Sequence, residues 1–562
     1  LHHGQSPHGE DWLNEAVAEC YIPLLNVVND LYNDEGIKAK ITLDISPVLA
    51  EQMEHADFKK NFIKYVDAKV KAAEEDEKNF KKWGHDEHQI YLARFWQDWY
   101  SQRKQDFIKK YDRSVVNGMK ELQDKGLIEI MTCAATHGYL PLLGYDKSIN
   151  LQLKTAVKNY EKHFGKKPRG TWLPECAYRP SYDWHTYLPI EPFHTKRLRP
   201  GIEQFLAQNG LDYFVIDEEL LKGAEPVGVY HESNKDFFVD VNAPEFEMKP
   251  WNFDKSPLNL FEIASSNKTE YGSAAAYVRH HDIAMQVWSG EIGYPAQPDY
   301  LDFHKKQFGS NLRYWRVTDS KADMMYKTHY HPDWIWDKLD HQAMHFIKNI
   351  ENTINHYKDA SGKFATLSAP FDTELFGHWW FEGPEFLRYL LRGLHNSPFV
   401  NTATASEQYD TVKPNEVVRI PEGSWGENNN HDVWSNDENK WTWEAIYNDE
   451  FRFNKIYESI KIEELDKKSE RILKQALREL MLMHSSDWQF LIHTWAARDY
   501  AEQRFTFHHS DLNKLLDLFE KYRKDNKLTK DEAKYLEETE QRNSIFPELK
   551  LEWFEDLKFD KK

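Results

Sequence analysis

Cysteine is scarce in this sequence of 562 residues. The three cysteines are Cys20, Cys133 and Cys176, an odd number whose spacings match no metal-binding motif. Small secreted domains depend on several paired cysteines, whereas proteins of reducing compartments do not. The sequence therefore predicts no disulfide framework and a cytoplasmic location.

Long apolar runs and an excess of basic residues are also absent. No stretch of about 18 apolar residues occurs, so we expect no membrane-spanning helix and no membrane partner. The start, at Leu1 rather than Met, lacks the pattern of a signal segment and predicts a processed chain or a fragment. With 72 basic against 92 acidic residues the net charge is −20, and a surface of that sign repels the phosphates of nucleic acids.

Motifs for phosphate and metal binding are missing as well. No glycine-rich phosphate loop is present, which disfavours a kinase or a nucleotide-dependent synthase, and we expect no cofactor. The 26 histidines include the groups His2, His3, His8 and His280, His281. Neither group has the i, i+4 helical pairing with a nearby Glu that zinc proteases use, so a metal-dependent hydrolase is a minor alternative.

Aromatic residues, in contrast, are abundant in this sequence. They make up 14% of the chain, with 20 Trp and 29 Tyr, and several Trp stand beside Asn, Asp, Glu and His in loop-like sequence. At least half of the Trp are expected to be core residues. The others are typical of a sugar site, where rings stack on the C–H faces of a pyranose and polar groups bind its hydroxyls.

Apolar periodicity predicts strands that alternate with helices. We expect strands at 41–45, 127–133, 170–173, 213–216 and 364–369, and helices at 12–33, 147–163, 201–208, 340–357 and 383–395. Residues 48–125 are charged and helical in pattern and predict an excursion from the sheet, and residues 217–275 predict long loops. From about 440 onward only helices are expected. This order indicates an α/β protein with a parallel sheet or barrel.

Two carboxylates come directly after apolar strands of this pattern. Glu175 comes after the strand at 170–173, and Asp372 comes after the strand at 364–369. Because the carboxyl ends of parallel strands meet at one mouth of a barrel, we expect them to lie together. Cleavage of a glycosidic bond needs one ionised carboxylate and one protonated carboxyl. Asp372, beside aromatic residues, suits the proton donor, although a lone Glu after a strand often only begins a helix.

Several motifs carry a resemblance to a known family. They are residues 9–16 (Gly-Glu-Asp-Trp-Leu-Asn-Glu-Ala), 135–143 (Ala-Thr-His-Gly-Tyr-Leu-Pro-Leu-Leu), 172–178 (Trp-Leu-Pro-Glu-Cys-Ala-Tyr), 287–295, 371–383, 423–426 (Gly-Ser-Trp-Gly) and 486–488 (Ser-Asp-Trp). In this order they resemble glycoside hydrolase family 57, and within it the α-1,4-glucan branching enzymes.

The resemblance implies a fold class and a domain organisation. The implied fold is an incomplete (β/α)7 barrel with helical insertions and a C-terminal all-helical domain. We place the barrel at 1–425, with the insertion at about 48–125, and the helical domain, contributing to the glucan site, at 426–562. The family's first strand, with its His-x-His sequence, is not visible, so a missing first strand is expected.

The resemblance also implies roles for individual residues. Glu175 would be the nucleophile and Asp372 the general acid/base of a retaining enzyme. The predicted substrate-binding residues are His137, Trp172, Arg279, Trp288, His378, Trp379, Trp425, Trp434 and Asp487, with no metal.

The implied activity is cleavage of α-1,4 bonds and transfer of the chain to a 6-hydroxyl of an α-glucan, as in glycogen biosynthesis. An α-amylase, a 4-α-glucanotransferase and a truncated non-catalytic glucan-binding relative remain alternatives. The oligomeric state stays open.

Overall fold

The computed structural model describes residues 1–231, 234–240, 254–265, 272–290, 292–319, 321 and 323–557. Backbone alone is described for residues 229–231 and 234–240. In these ranges no helix is long and apolar enough to cross a membrane. The three cysteines are all buried and free.

The N-terminal part is mostly helical, as predicted for residues 12–33 and 48–125. A π-helical turn at Val17–Tyr21 links the first two helices, and α4 and α5 pack on each other as the long arms of the insertion. The elements are α1 Glu10–Ala16, α2 Ile22–Glu35, β1 Ile41–Ile45, α3 Pro47–Glu54, α4 Ala56–Trp83, α5 Glu87–Gln105, α6 Val115–Asp124 and β2 Ile128–Cys133.

Strands and helices then alternate. The predicted helices at 147–163 and 201–208 and the predicted strands at 170–173 and 213–216 are confirmed within one residue or two. The elements are α7 Asp146–Phe164, β3 Gly170–Trp172, β4 Tyr182–Trp184, β5 Arg197–Arg199, α8 Ile202–Gln208, β6 Tyr213–Asp217, α9 Glu218–Lys222, β7 Glu225–His231, β8 Asn234–Asp240, β9 Phe261–Ile263 and β10 Ala274–Arg279.

The prediction of long loops at 217–275 is therefore wrong for much of that range. The described part of the segment contains α9, the whole of β7, β8 and β9, and the ends of β6 and β10. Residues 232–233, 241–253 and 266–271 lie outside the described residues. Pro226 lies in β7. The strand at 416–419 pairs with β7, and their register shifts between Val417 and Val418, where Val418 pairs with Pro226. A proline removes a strand donor and is tolerated at such irregular or edge positions, which is why the strand period is hard to see in the sequence.

The remaining elements complete the sheet and build the helical C-terminal region. They are α10 His281–Trp288, α11 Trp336–Ser361, α12 Gly383–Asn396, α13 Ala405–Val412, β11 Glu416–Arg419, α14 Lys440–Glu458, α15 Lys467–Met483, α16 Ser486–Thr494, α17 Arg498–Asp525 and α18 Lys530–Arg542. The predicted helices at 340–357 and 383–395 are confirmed, and from residue 440 to 557 the structure contains helices and no strand.

The prediction of a strand at 364–369 is wrong. Only Ser368 forms a bridge, in parallel, to Arg279 at the end of β10. Phe364 is exposed at 88%, so the first half of the segment has no apolar surface to cover it. The amide of His280 still donates to the carbonyl of Ser368 at 2.9 Å, which fixes the chain just before Asp372.

The main sheet has the order β1-β2-β3-β6-β10-β9-β11-β7-β8. Its first five strands pair in parallel, and β9 pairs antiparallel to β10. A hydrophobic cluster joins β6 and β10 to α14–α17, and a second joins α2–α6 to α11 and α12. The C-terminal helices and the sheet thus share one buried core at the edge where the parallel strands end.

Candidate active site

The predicted catalytic carboxylates lie at one edge of the sheet. Glu175 follows β3, and Asp372 follows the bridge between Ser368 and the last residue of β10. His137 comes shortly after β2, and Arg279 ends β10. Parallel strands bring the residues at and beyond their carboxyl ends to one side. The strand pattern predicted this position for Glu175 and Asp372, but not the strand β10 that Arg279 ends.

Glu175 is held in an unusual backbone conformation. It occupies the short turn Pro174–Cys176 with φ 62° and ψ 25°, and Cys176 also has a positive φ of 51°. A left-handed conformation costs an L-residue roughly 1–2 kcal/mol. The turn is stabilised by the amide of Trp425, which donates to the carbonyl of Glu175 at 3.0 Å. Strain of this kind concentrates at functional sites.

Hydrogen bonds reach both oxygens of the Glu175 carboxylate. The Trp425 indole donates to Oε2 at 2.9 Å, and the Ser486 hydroxyl donates to Oε1 at 3.2 Å. The His137 Nδ1 shares a 2.7 Å hydrogen bond with the Ser486 hydroxyl and lies 4.0 Å from Oε1. Burial raises the pKa of Glu175, and the charge of His137 and the indole hydrogen bond oppose that rise. The site therefore has donors that stabilise an ionised Glu175.

Asp372 is buried like Glu175 but lacks the donors that Glu175 has. Burial, followed by the charges of Glu374 and Glu175, raises its pKa to about 7. No hydrogen-bond donor from the described residues reaches its carboxyl group, whereas Glu374 accepts a hydrogen bond from the Tyr21 hydroxyl. Near neutral pH Asp372 can therefore hold a proton while Glu175 is stabilised as an anion, the division that acid-assisted glycosyl transfer needs.

An aromatic and charged wall adjoins Glu175. The ring centroids of Trp172 and Trp425 lie 4.8 Å apart at 66°, and the Arg279 guanidinium lies 5.6 Å from the Trp425 ring. Arg279 forms a buried ion pair with Asp217 at 2.8 Å. A cavity of about 380 Å³ lies here, lined by Asp217, Glu218, Glu219, Lys222, Arg279, His281, Asp282, Trp425 and Asn429. The predicted residues Trp172, Arg279 and Trp425 thus come together.

The prediction of Trp434 as a substrate-binding residue is wrong. Its ring is 1% exposed and stacks on Tyr139 with centroids 4.8 Å apart and 22° between the planes. Such a ring offers no free face to a sugar. Trp434 packs the contact between the region after β2 and the C-terminal helices, so its role is structural.

The remaining predicted residues fall into separate places. Trp288 and Trp379 have ring centroids 6.2 Å apart, and Trp379 is 39% exposed. Asp487 is exposed and accepts a hydrogen bond from Ser485 at 2.7 Å. His378 bonds through Nδ1 to Glu19 at 2.8 Å in a buried ion cluster with Arg313. Their predicted substrate contacts stay predictions.

Two residues at this site were not predicted from the sequence. Asp217 is the last residue of β6, so its place at a strand end was a usable signal. Ser486 touches both His137 and Glu175 across more than 300 positions of the chain, and only its place in the Ser-Asp-Trp motif pointed to it.

One group of side chains in the described part of the chain has the spacing of metal ligands. His2, His55 and Asp57 have ligand atoms within 4.8 Å of one another near the start of α4. The group includes no residue of the site around Glu175. The histidines at 280 and 281, with Asp282, do not form a group of this kind among the described residues.

Comparisons with known proteins place the chain in a family. The model of Glycosyl hydrolase family 57 matches residues 1–421, and the model of the C-terminal region of 1,4-alpha-glucan branching enzymes matches residues 446–554. The chain therefore belongs to glycoside hydrolase family 57, as its motifs predicted.

One similar protein is a branching enzyme. The chain is 38% identical over 548 residues to a 1,4-alpha-glucan branching enzyme of Thermococcus kodakarensis, a match that covers 97% of this chain and 75% of that protein. A crystal structure of that same branching enzyme superposes with a TM-score of 0.85 at 36% identity, covering 98% of this chain and 93% of the other.

A second relative differs from this branching enzyme in its activity. It is an α-amylase of Thermotoga maritima, with a TM-score of 0.79 at 27% identity, and the match covers 100% of this chain and 97% of the other. These structures confirm the predicted α/β fold class with its helical C-terminal region, and the sheet is mixed, with parallel strands.

Proposed function

We propose that this protein is a retaining 1,4-α-glucan branching enzyme with Glu175 as nucleophile and Asp372 as general acid/base. The observation that carries the proposal is the contrast between the two carboxyls. Glu175 accepts hydrogen bonds on both oxygens, whereas burial and neighbouring charges raise the pKa of Asp372 to about 7. Both carboxyls are buried, but only Glu175 has donors that favour its ionised form, and a difference of this kind separates a nucleophile from an acid.

In the first step, Glu175 attacks the anomeric carbon of an α-1,4-linked glucose. Asp372 gives its proton to the leaving glycosidic oxygen, and a covalent glucosyl-enzyme of inverted configuration forms. In the second step Asp372, now ionised, takes the proton of a 6-hydroxyl on another glucan chain. That oxygen attacks the intermediate and restores the α configuration as a branch.

Transfer exceeds hydrolysis only when an acceptor chain occupies the site better than water does. Trp425 supports this requirement because its indole binds Glu175 while its ring lies beside Trp172 and Arg279. The residue belongs to the segment that leads into the C-terminal helices. A glucan acceptor stacked near Trp425 would keep water from the intermediate.

Hydrolysis by an α-amylase is the second candidate, and the similarity to the Thermotoga maritima amylase favours it. Branching has stronger support, because the relative with 38% identity is a branching enzyme and the region after residue 446 matches the C-terminal region of branching enzymes. The substrate proposed in either case is an α-glucan such as amylose or glycogen.

Product linkage tests the proposal. The protein is incubated with amylose, and the product is examined by proton NMR for α-1,6 linkages and by a reducing-end assay for hydrolysis. We expect new α-1,6 signals with few new reducing ends. Glu175→Gln, which has nearly the same shape and no nucleophile, is the control and should give neither. Reducing ends that rise without α-1,6 linkages would replace branching by hydrolysis.

A further inference from the structure

Trp495 occupies a position that neither packing nor backbone preference explains. It follows α16 with φ 58° and ψ 13°, a left-handed conformation that suits glycine and is unfavourable for a bulky residue. Its side chain is 67% exposed. A large ring that gains little burial and needs a strained backbone is better explained by binding than by stability.

One face of the Trp495 ring is held by a charged neighbour. The Arg498 guanidinium lies 4.4 Å from the ring centroid, and its Nε donates to Glu502 at 2.8 Å. Glu438 lies 3.7 Å from the same guanidinium. Among the described residues no other ring stacks on Trp495. The indole is therefore oriented on one side and open to solvent on the other, which is the form of a stacking platform.

Two elements connect Glu175 to this platform. Helix α16 begins at Ser486, whose hydroxyl binds Glu175, and ends beside Trp495. Its nine residues span about 14 Å at the usual helical rise.

The second element that connects Glu175 to Trp495 is the segment after Trp425. It contacts the end of α16 where Asn436 and His493 lie 3.2 Å apart, and it reaches Arg498 through Glu438. The platform is thus continuous with the proposed active site.

We propose that Trp495 is an additional α-glucan-binding site, on which a glucose ring stacks several units away from the bond that is cleaved. The inference rests on the proposed function for the identity of the ligand. The exposed face of α16 supports it, because Asp487 and Phe490 are exposed between Ser486 and Trp495. Long chains would reach the platform, and short oligosaccharides bound at Glu175 would not.

The variant Trp495→Gly tests this directly, because glycine accepts the left-handed backbone and only the ring is lost. We expect the KM for amylose to rise roughly five- to tenfold, the loss of one stacking contact. The KM and kcat for a short maltooligosaccharide should stay at the wild-type values, and the melting temperature should stay or rise. Trp83→Ala, which removes another exposed ring at the end of α4, is the matched control and should leave both KM values unchanged.

Binding in the absence of turnover separates this inference from the proposed function. In a Glu175→Gln background, Trp495→Gly should weaken amylose binding in affinity electrophoresis by the same factor. An unchanged affinity, or an equal loss for long and short substrates, would overturn the platform. If the wild type makes no α-1,6 linkages while the ring still strengthens amylose binding, the proposed function fails and the platform stands.

Discussion

The Asp372→Asn variant gives a stability prediction that depends on the environment of the proposed acid. Burial and the charges of Glu374 and Glu175 raise the pKa of Asp372 from 3.8 to about 7. A difference of one pKa unit corresponds to about 1.36 kcal/mol. The shift of roughly three units therefore means that ionised Asp372 costs the folded state up to about 4 kcal/mol.

Whether stability rises or falls with pH depends on how many protons the folded and the unfolded states bind. Between about pH 4 and pH 7 the folded protein keeps the Asp372 proton, whereas the unfolded chain has lost it. The folded state then binds more protons, so this group makes the free energy of unfolding fall by up to about 1.4 kcal/mol per pH unit. Its contribution to stability is complete below the unfolded pKa and is lost as the pH rises through about 7.

Urea unfolding of both proteins at pH 4 and pH 8 measures this contribution. Other buried acids, such as Glu382 and Glu450, act equally in both proteins and cancel in the difference. We expect Asp372→Asn to gain up to about 4 kcal/mol relative to the wild type between the two pH values. The exposed control Asp340→Asn should follow the wild type. Parallel curves for the wild type and Asp372→Asn would refute the raised pKa and, with it, the assignment of the acid.

Four further substitutions test neighbouring parts of the site. Glu374→Gln removes a charge that raises the pKa of Asp372, so the alkaline limb of the pH–rate profile should move down by about one unit or less. Trp425→Phe removes a hydrogen bond that lowers the pKa of Glu175, so the acid limb should move up, and a static acid limb would contradict the contact. Trp434→Ala should cost about 3–5 kcal/mol of stability and leave the ratio of hydrolysis to transfer unchanged, whereas Trp425→Ala should raise that ratio. Equal ratios in both variants would remove the distinction between the two rings.

Strand ends could be predicted from the sequence because local residues determine them. Apolar runs at β2, β3 and β6 end at turns or polar motifs, and parallel strands bring the residues after their carboxyl ends to one edge. That rule brought Glu175 and Asp372 to one mouth before any contact was known, although the strand that it assumed before Asp372 is reduced to a single bridge at Ser368. Applied to β6 it would also have included Asp217.

Contacts between distant segments could not be predicted in this way. Trp425 and Trp434 lie nine positions apart in one irregular segment with similar neighbours. One ring binds Glu175 and the other is buried on Tyr139. The difference depends on how the C-terminal helices pack on the sheet, which no local pattern contains. The same holds for Ser486, whose partners lie in the first half of the chain.

Strand prediction failed where tertiary contacts, and not the local sequence, determine whether a segment forms a strand. Residues 364–369 have an apolar pattern, but exposed Phe364 leaves only Ser368 to pair with the sheet. Around residue 226 the opposite occurs, because a proline conceals a strand that pairing with β11 stabilises. Tertiary pairing overrides the local preference in both segments.

The most direct test of the central claim is chemical rescue of the two carboxylate variants with azide, using an α-maltosyl fluoride that needs no acid to leave. Glu175→Ala should be inactive alone and, with azide, should yield the β-glycosyl azide, because the anion fills the space of the nucleophile and attacks once. Asp372→Ala should yield the α-glycosyl azide, because Glu175 still forms the intermediate that azide then attacks. Reversed anomers, or turnover by Glu175→Ala without azide, would contradict the assignment of Glu175 as nucleophile and Asp372 as acid/base.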